Sequence, residues 1–229
     1  TVRKCCHNTT AKYLMNFKKI IRIALVKGWL KKDPFAQIRF HLEPVERDFL
    51  EKHELKILLD KKIEIVRLAQ VRDIFGFCCL TGLAFTDVLK PEHIVTDING
   101  TKWIRKARQK TRNMCNIPLL DAARKILARY EDNPYCQVHG VLLPVCSNQK
   151  MNAYLKELAD ICGIRKNLST HCARHTFATL TLASGATIEN VAKMLGHANT
   201  NMTRHYARIL DSSIVRDMQT VAKNMALES

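Results

Sequence analysis

A mainly helical fold carrying one small three-stranded antiparallel sheet is predicted by three features of this sequence. Apolar residues recur at three- and four-residue spacing through most of the 229 positions, the mark of amphipathic helices. Strand-like alternation is confined to one stretch between Ile94 and Pro118, around a strong hairpin turn at Asn99-Gly100. With 47% hydrophobic residues, the chain can bury a sizeable core, as one large domain or a large and a small one.

The elements follow in order. From Thr10, residues Tyr13, Phe17, Ile20 and Ala24, with Ile21 beside them, form one apolar stripe. Lys12, Lys19 and Arg22 lie on another face, and Gly28 ends the helix. One amphipathic helix cannot bury its stripe alone, so the segment reads as the end of a helical domain. Asp33-Pro34 and Pro44 break the chain, and the residues between them read as linker. The division falls at residues 1–43 and 44–229. The second part opens with a helix from Glu54 to Val66 and an apolar helix from Val71 to Leu80 closed by Thr81-Gly82, after which Thr86 caps a short turn. Strands are predicted over Ile94–Thr96, Lys102–Gln109 and Met114–Pro118. Helices follow over Asp121–Glu131, Asn152–Cys162, Thr170–Ala183, Ile188–Leu195 and Asn201–Leu210. A last amphipathic segment carries Ile214, Met218, Val221 and Met225.

Charge narrows the function. Lys and Arg number 37 against 21 Asp and Glu, a net +16, which points to a polyanionic partner, nucleic acid first. Residues 1–43 alone hold ten basic side chains and two acids. The basic face of the first helix is a candidate DNA surface through Lys12, Lys19 and Arg22. None of the nine cysteines forms a C-x-x-C pair, and their spacing fits neither a zinc site nor a disulfide framework. That pattern suggests a reducing cytosol. No signal peptide or membrane-spanning apolar run appears. The abrupt start inside a basic segment suggests a fragment of something longer.

Three polar clusters carry the chemistry. In Thr170-His-Cys-Ala-Arg-His175, Thr170 is the expected N-cap. His171, Arg174 and His175 then fall at i, i+3 and i+4 on one face, near a helix end that already favours anions. The phosphatase pattern His-Cys-x5-Arg is rejected, because position 178 is Ala. In Met194-Leu-Gly-His-Ala-Asn199, Gly196 ends a helix and His197 follows in the turn. In Arg204-His-Tyr-Ala-Arg208, the face of Tyr206 tends inward.

Together these clusters resemble the tyrosine recombinases of the phage integrase family: a His-x-x-Arg box, a Leu-Gly-His box, and a Tyr nine residues after that His. Thr81-Gly-Leu-Ala-Phe-Thr-Asp87 resembles the family's first box, and Gln109-Lys110-Thr111 resembles the end of the strand bearing its catalytic lysine. The likeness covers roughly residues 44 to 212. Its phrasing is similar to integrases of Bacteroides-type mobile elements. It implies a catalytic domain preceded, in residues 1–43, by the end of a helical core-binding domain.

One position departs from the pattern. The first box normally reads Thr-Gly-Leu-Arg, and here the Arg position is Ala84. Arg108 precedes Lys110 by two residues, and two-residue periodicity on a strand would put both on one side of the sheet. Arg108 is therefore the candidate for the missing guanidinium. Arg112 is the competing choice and a candidate DNA contact.

The resemblance implies a site-specific recombinase that cuts and rejoins DNA through a 3′-phosphotyrosyl link, with no ATP, metal or other cofactor. Tyr206 is then the nucleophile, Arg174 and Arg108 the phosphate clamps, and His197 a further donor to the phosphate. Lys110 is the general acid, His171 the general base or orienter, and Asp87 a buttress. The implied partners are double-stranded DNA with specific sites, further copies of the chain in a tetramer on DNA, and accessory DNA-bending proteins. The implied place is the bacterial cytoplasm, at the nucleoid. The tail after Ser212 would dock on a neighbouring protomer. The rival readings are a type IB topoisomerase and an inactive DNA-binding relic, the second supported by Ala84.

Overall fold

The chain divides into two compact units, Thr1–Glu46 and Arg47–Ser229. The computed structural model describes residues 5–43, 45, 48–87, 90–207, 218, 219 and 221. The first unit is built on α1 (His7–Val26), which starts three residues before the expected Thr10. Lys12, Lys19 and Arg22 are exposed on it. The segment read as linker folds back on this helix. Lys18 Nζ donates to the Phe35 carbonyl at 2.8 Å, Phe17 and Phe35 meet edge to face, and Asn8 exchanges two hydrogen bonds with the backbone of Glu43.

In the second unit the predicted helix Glu54–Val66 ends early, at Asp60, and the predicted helix Val71–Leu80 starts early, at Val66. α2 (Lys52–Asp60) is closed at its start by a capping box between Glu51 and Glu54. α3 (Val66–Thr81) begins where α2 was expected to end. Residues 61–65 leave the helix because Lys61 turns extended, and its carbonyl accepts from Arg72 Nη1 at 2.6 Å rather than continuing the ladder. α3 is apolar on nearly every side and so must be covered all round. It packs against α2 and against three later helices, α4 (Asp121–Ala128), α6 (Asn148–Cys162) and α7 (Thr170–Ala183). Its buried Leu68, Ile74, Phe75, Phe77 and Cys79 form the centre of the main core.

The sheet has the predicted strands β1 (Ile94–Thr96), β2 (Lys102–Ala107) and β3 (Met114–Pro118), antiparallel in the order β1-β2-β3. Ile104 pairs with Ile94 on one side and Ile117 on the other, and Ile104 and Ile117 are fully buried. β2 stops at Ala107, two residues short of the expected Gln109. There Arg108 N–H donates to Asn113 O and closes the loop, inside which Arg112 takes a left-handed φ of 61°. Lys110 accordingly lies in an exposed turn and not on the strand.

The remaining helices hold the site. α5 (Pro134–His139) was not anticipated, although Asn133 as cap and Pro134 in the first turn are its signals; correspondingly α4 ends before the expected Glu131. α6 starts four residues before the expected Asn152, at a Ser147 cap. α7 has the predicted bounds, but its N-cap is Ser169. Thr170 is the first helical residue, its N–H and hydroxyl given to Asn152 Oδ1 and Asn148 Oδ1. α8 (Ile188–Leu195) is as predicted, with Thr187 as cap. α9 (Asn201–Ala207) is the described part of the last predicted helix. The expectations for residues 208–217 and for most of the docking tail lie outside the described residues. Among the described residues no helix is long and apolar enough to cross a membrane.

Candidate active site

Arg174 is the buried centre of the site, 8% exposed. A guanidinium has five N–H donors in a fixed plane. Nη1 donates to the carbonyl of Gly82 at 2.7 Å, and Nη2 donates to the carbonyl of Leu195. Gly82 caps the end of α3 and Leu195 is the last residue of α8. The arginine thus spans two helix C-termini, whose carbonyls carry partial negative charge. Gly82 is required here for two reasons. Its φ is +69°, and a Cβ would meet Phe177 at 2.4 Å.

Arg108 reaches the same place from the sheet. Its side chain is 12% exposed and lies across Gly196, where an added Cβ would stand 3.0 Å from Arg108 Cδ and 2.9 Å from Cys115 Sγ. Asn113 Nδ2, donating to Gly196 O at 3.2 Å, ties the β2–β3 loop to this turn. Asp87 is buried beside it. Its Oδ1 accepts from Gln109 N–H at 3.0 Å, and its Oδ2 is 4.0 Å from Arg108 Nε. That separation is within ion-pair range but beyond hydrogen-bond reach, and both atoms are buried without a hydrogen bond. Ala84 is half-buried on the loop after α3 and contributes its carbonyl to Asp87 N–H at 2.8 Å; its methyl group can donate to nothing.

The electrostatics show two cations held together. Burial first, and then the charge of Arg108, lower the Arg174 pKa to about 10, so Arg174 remains charged at neutral pH. Burial, then Arg174 and Arg108, push His197 down to about 4. His197 is therefore a neutral imidazole, with Nδ1 2.7 Å from Thr203 Oγ1. Tyr206 on α9 is 7% exposed and packs with Phe177, Leu182, Val191 and Leu195. Its ring centroid is 5.2 Å from that of His175.

The structure thus brings together Arg174, Arg108, Asp87, His197 and Tyr206. Arg174 responds to the charges of both Arg108 and Tyr206. Lys110 and Arg112 are exposed in the β2–β3 loop, and His171 is exposed in the first turn of α7. The expected sharing of one strand face by Arg108 and Lys110 does not occur, because β2 ends before either residue. Sequence reasoning missed the ring contact of His175 with Tyr206, although the i+4 position of His175 from His171 was its signal. It also missed Thr203, which nothing local distinguishes from other helical threonines.

A helix-borne tyrosine with one buried and one largely covered arginine and a neutral histidine, on a helical domain with one small sheet, is the arrangement expected of the tyrosine recombinase class. The phage integrase family model matches residues 48–213 and the phage integrase SAM-like domain matches residues 1–42; the chain belongs to the phage integrase family and is a site-specific tyrosine recombinase. Among its relatives is the tyrosine recombinase XerD of Staphylococcus saprophyticus subsp. saprophyticus, 25% identical over 220 residues, covering 89% of this chain and 72% of that protein. The fold is shared with the Tn1549 transposon integrase in complex with circular intermediate DNA (TM-score 0.64, 16% identity, 89% of this chain and 76% of that one). It is also shared with XerH site-specific recombinase bound to palindromic difH substrate in a post-cleavage complex (TM-score 0.62, 17% identity, 95% and 73%).

Proposed function

We propose that this recombinase cleaves and rejoins double-stranded DNA with Arg108 standing in for the arginine absent at Ala84. Tyr206 Oη attacks a backbone phosphorus, the bond to the 5′-oxygen breaks, and a 3′-phosphotyrosyl link forms. The link conserves the energy of the broken ester, so attack by a 5′-hydroxyl reverses the step. Negative charge gathers on the non-bridging oxygens in the transition state, and fixed buried cations are an efficient counter to it. Arg174 is preorganised for that task by its two carbonyl anchors, and planar N–H pairs suit phosphate oxygens. Arg108 supplies the second cation, and Asp87 holds its loop through Gln109 N–H. Lys110, in the loop, gives a proton to the leaving 5′-oxygen, and His171 takes the proton of the tyrosine. His197 donates to the phosphate.

The observation that carries this reading is the place of Arg108. The Arg108 guanidinium, its Nε buried, lies beside Arg174, with that Nε 4.0 Å from the nearest Asp87 oxygen, where an anion would relieve the repulsion between two cations. Specificity would come from base contacts and DNA shape, with Lys12, Lys19, Arg22 and Arg112 on backbone phosphates. In this reading the first unit is the end of a core-binding domain. The chain acts as a tetramer at paired recombination sites with accessory DNA-bending proteins, at the bacterial nucleoid in the cytoplasm. The relatives solved on circular intermediate DNA and on difH support a DNA partner.

The test is covalent trapping on nicked suicide substrates that include DNA flanking its own gene. Wild type should give a denaturant-resistant adduct, while Tyr206→Phe and Arg108→Ala should not. An adduct from Arg108→Ala at the wild-type rate would remove Arg108 from the chemistry. Binding of the native site with no wild-type adduct would favour an inactive relic, the reading that Ala84 supports.

A further inference from the structure

We infer that Thr203 is a positioning residue that fixes which nitrogen of His197 carries the proton. A neutral imidazole has one N–H and one lone pair, and the partner of one nitrogen decides the state of the other. His197 Nδ1 lies 2.7 Å from Thr203 Oγ1. Either atom could donate in that contact, but the surroundings of the hydroxyl decide. Thr203 is fully buried, so its O–H must find an acceptor inside the protein. Helical hydroxyls commonly give their proton to the carbonyl four residues back, as Thr81 does to Phe77 O and Ser184 to Leu180 O. Among the described residues, the hydrogen bond of Thr203 Oγ1 is to His197 alone. The hydroxyl therefore donates to Nδ1, which must hold a lone pair, and Nε2 keeps the proton.

The consequence is functional. With Nδ1 accepting, His197 remains a donor through Nε2 while neutral, the form that suits a phosphate oxygen. The opposite tautomer would present a lone pair to an anion and repel it. Thr203 also stands on the same short helix as Tyr206, three residues before it. The helix that brings in the nucleophile therefore sets the donor state of the phosphate-facing histidine.

This inference rests on the proposed role of His197, and the experiment separates the two. Imidazole nitrogen shifts of His197 would be read by long-range proton–nitrogen NMR in the full chain at neutral pH, for wild type, Thr203→Ser and Thr203→Val. Wild type and Thr203→Ser should show Nε2–H, and Thr203→Val a mixture or Nδ1–H. Adduct formation on suicide DNA should fall roughly 10- to 100-fold in Thr203→Val, the size of a lost hydrogen bond to a charged group. It should stay near wild type in Thr203→Ser. Nδ1–H in the wild type overturns the inference, as does a Thr203→Val protein with unchanged tautomer and rate. Should Thr203→Val fail to fold, the wild-type tautomer alone decides. A wild type with Nε2–H that forms no adduct would sink the proposed function and leave the tautomer assignment standing.

Discussion

Arg108 and Gly196 are 88 positions apart in sequence, yet the arginine side chain lies across the glycine so closely that a Cβ there would stand 3.0 Å from Arg108 Cδ. The Leu-Gly-His turn is thus also the floor on which the second cation rests. Its glycine has a left-handed φ of +59°, so two constraints coincide.

Gly196→Ala should therefore hurt twice. The left-handed backbone costs about 1–2 kcal/mol for an alanine, and the new methyl group pushes Arg108 and Cys115 aside. The expected result is a lowered melting temperature and a loss of cleavage larger than stability explains. Cleavage measured well below the melting transition separates the two effects.

Arg108→Ala should lower adduct formation by roughly 10²- to 10³-fold, as for loss of one preorganised donor to a developing oxyanion. DNA affinity measured by gel shift at fixed salt should change little, since one phosphate contact among many is lost. A comparable loss of binding would instead make Arg108 a docking residue.

Two like charges held close together disfavour the fold, so an oxyanion bound between them should stabilise it. Sulfate should raise the melting temperature of wild type more than chloride at equal ionic strength. The difference should shrink in Arg108→Ala, which relieves the repulsion and removes half of the grip, to the general stabilisation that sulfate gives any fold.

His197 sets a pH dependence whose sign is determined. Its folded pKa is about 4, below the ordinary 6.5. Between these values the unfolded chain binds the proton and the folded chain does not, so stability falls as pH drops from about 6.5 to about 4. With the ring only half-buried, solvent screening reduces the effect to about 1–2 kcal/mol. Denaturant melts of wild type and His197→Gln across that window should converge toward low pH. A parallel offset at all pH values would contradict the depressed pKa.

Much of this protein is written locally. α7 and α8 have the bounds their periodicity and turns predict, and the Asn99-Gly100 hairpin and its register follow from turn chemistry and alternation. The three boxes identify Arg174, His197 and Tyr206 because their spacing is itself the signal. Errors fell where distant contacts override a local tendency. Arg72 takes the carbonyl of Lys61 where the first expected helix has already ended, and the Arg108–Asn113 closure ends β2 early.

By itself, the sequence determined the fold class and the family and pointed to Tyr206 as the candidate nucleophile, since helix period, turn residues and motif spacing act within a few residues. Only the tertiary structure decided how the cations meet. The proximity of Arg108 to Arg174, the anchoring of Arg174 on the carbonyls of Gly82 and Leu195, and the bond from Thr203 to His197 depend on how α3, α8 and α9 pack against α7 and how the sheet packs against α8. Such contacts are set by burial of a shared core and by the need to satisfy its polar groups, and no spacing along the chain encodes them.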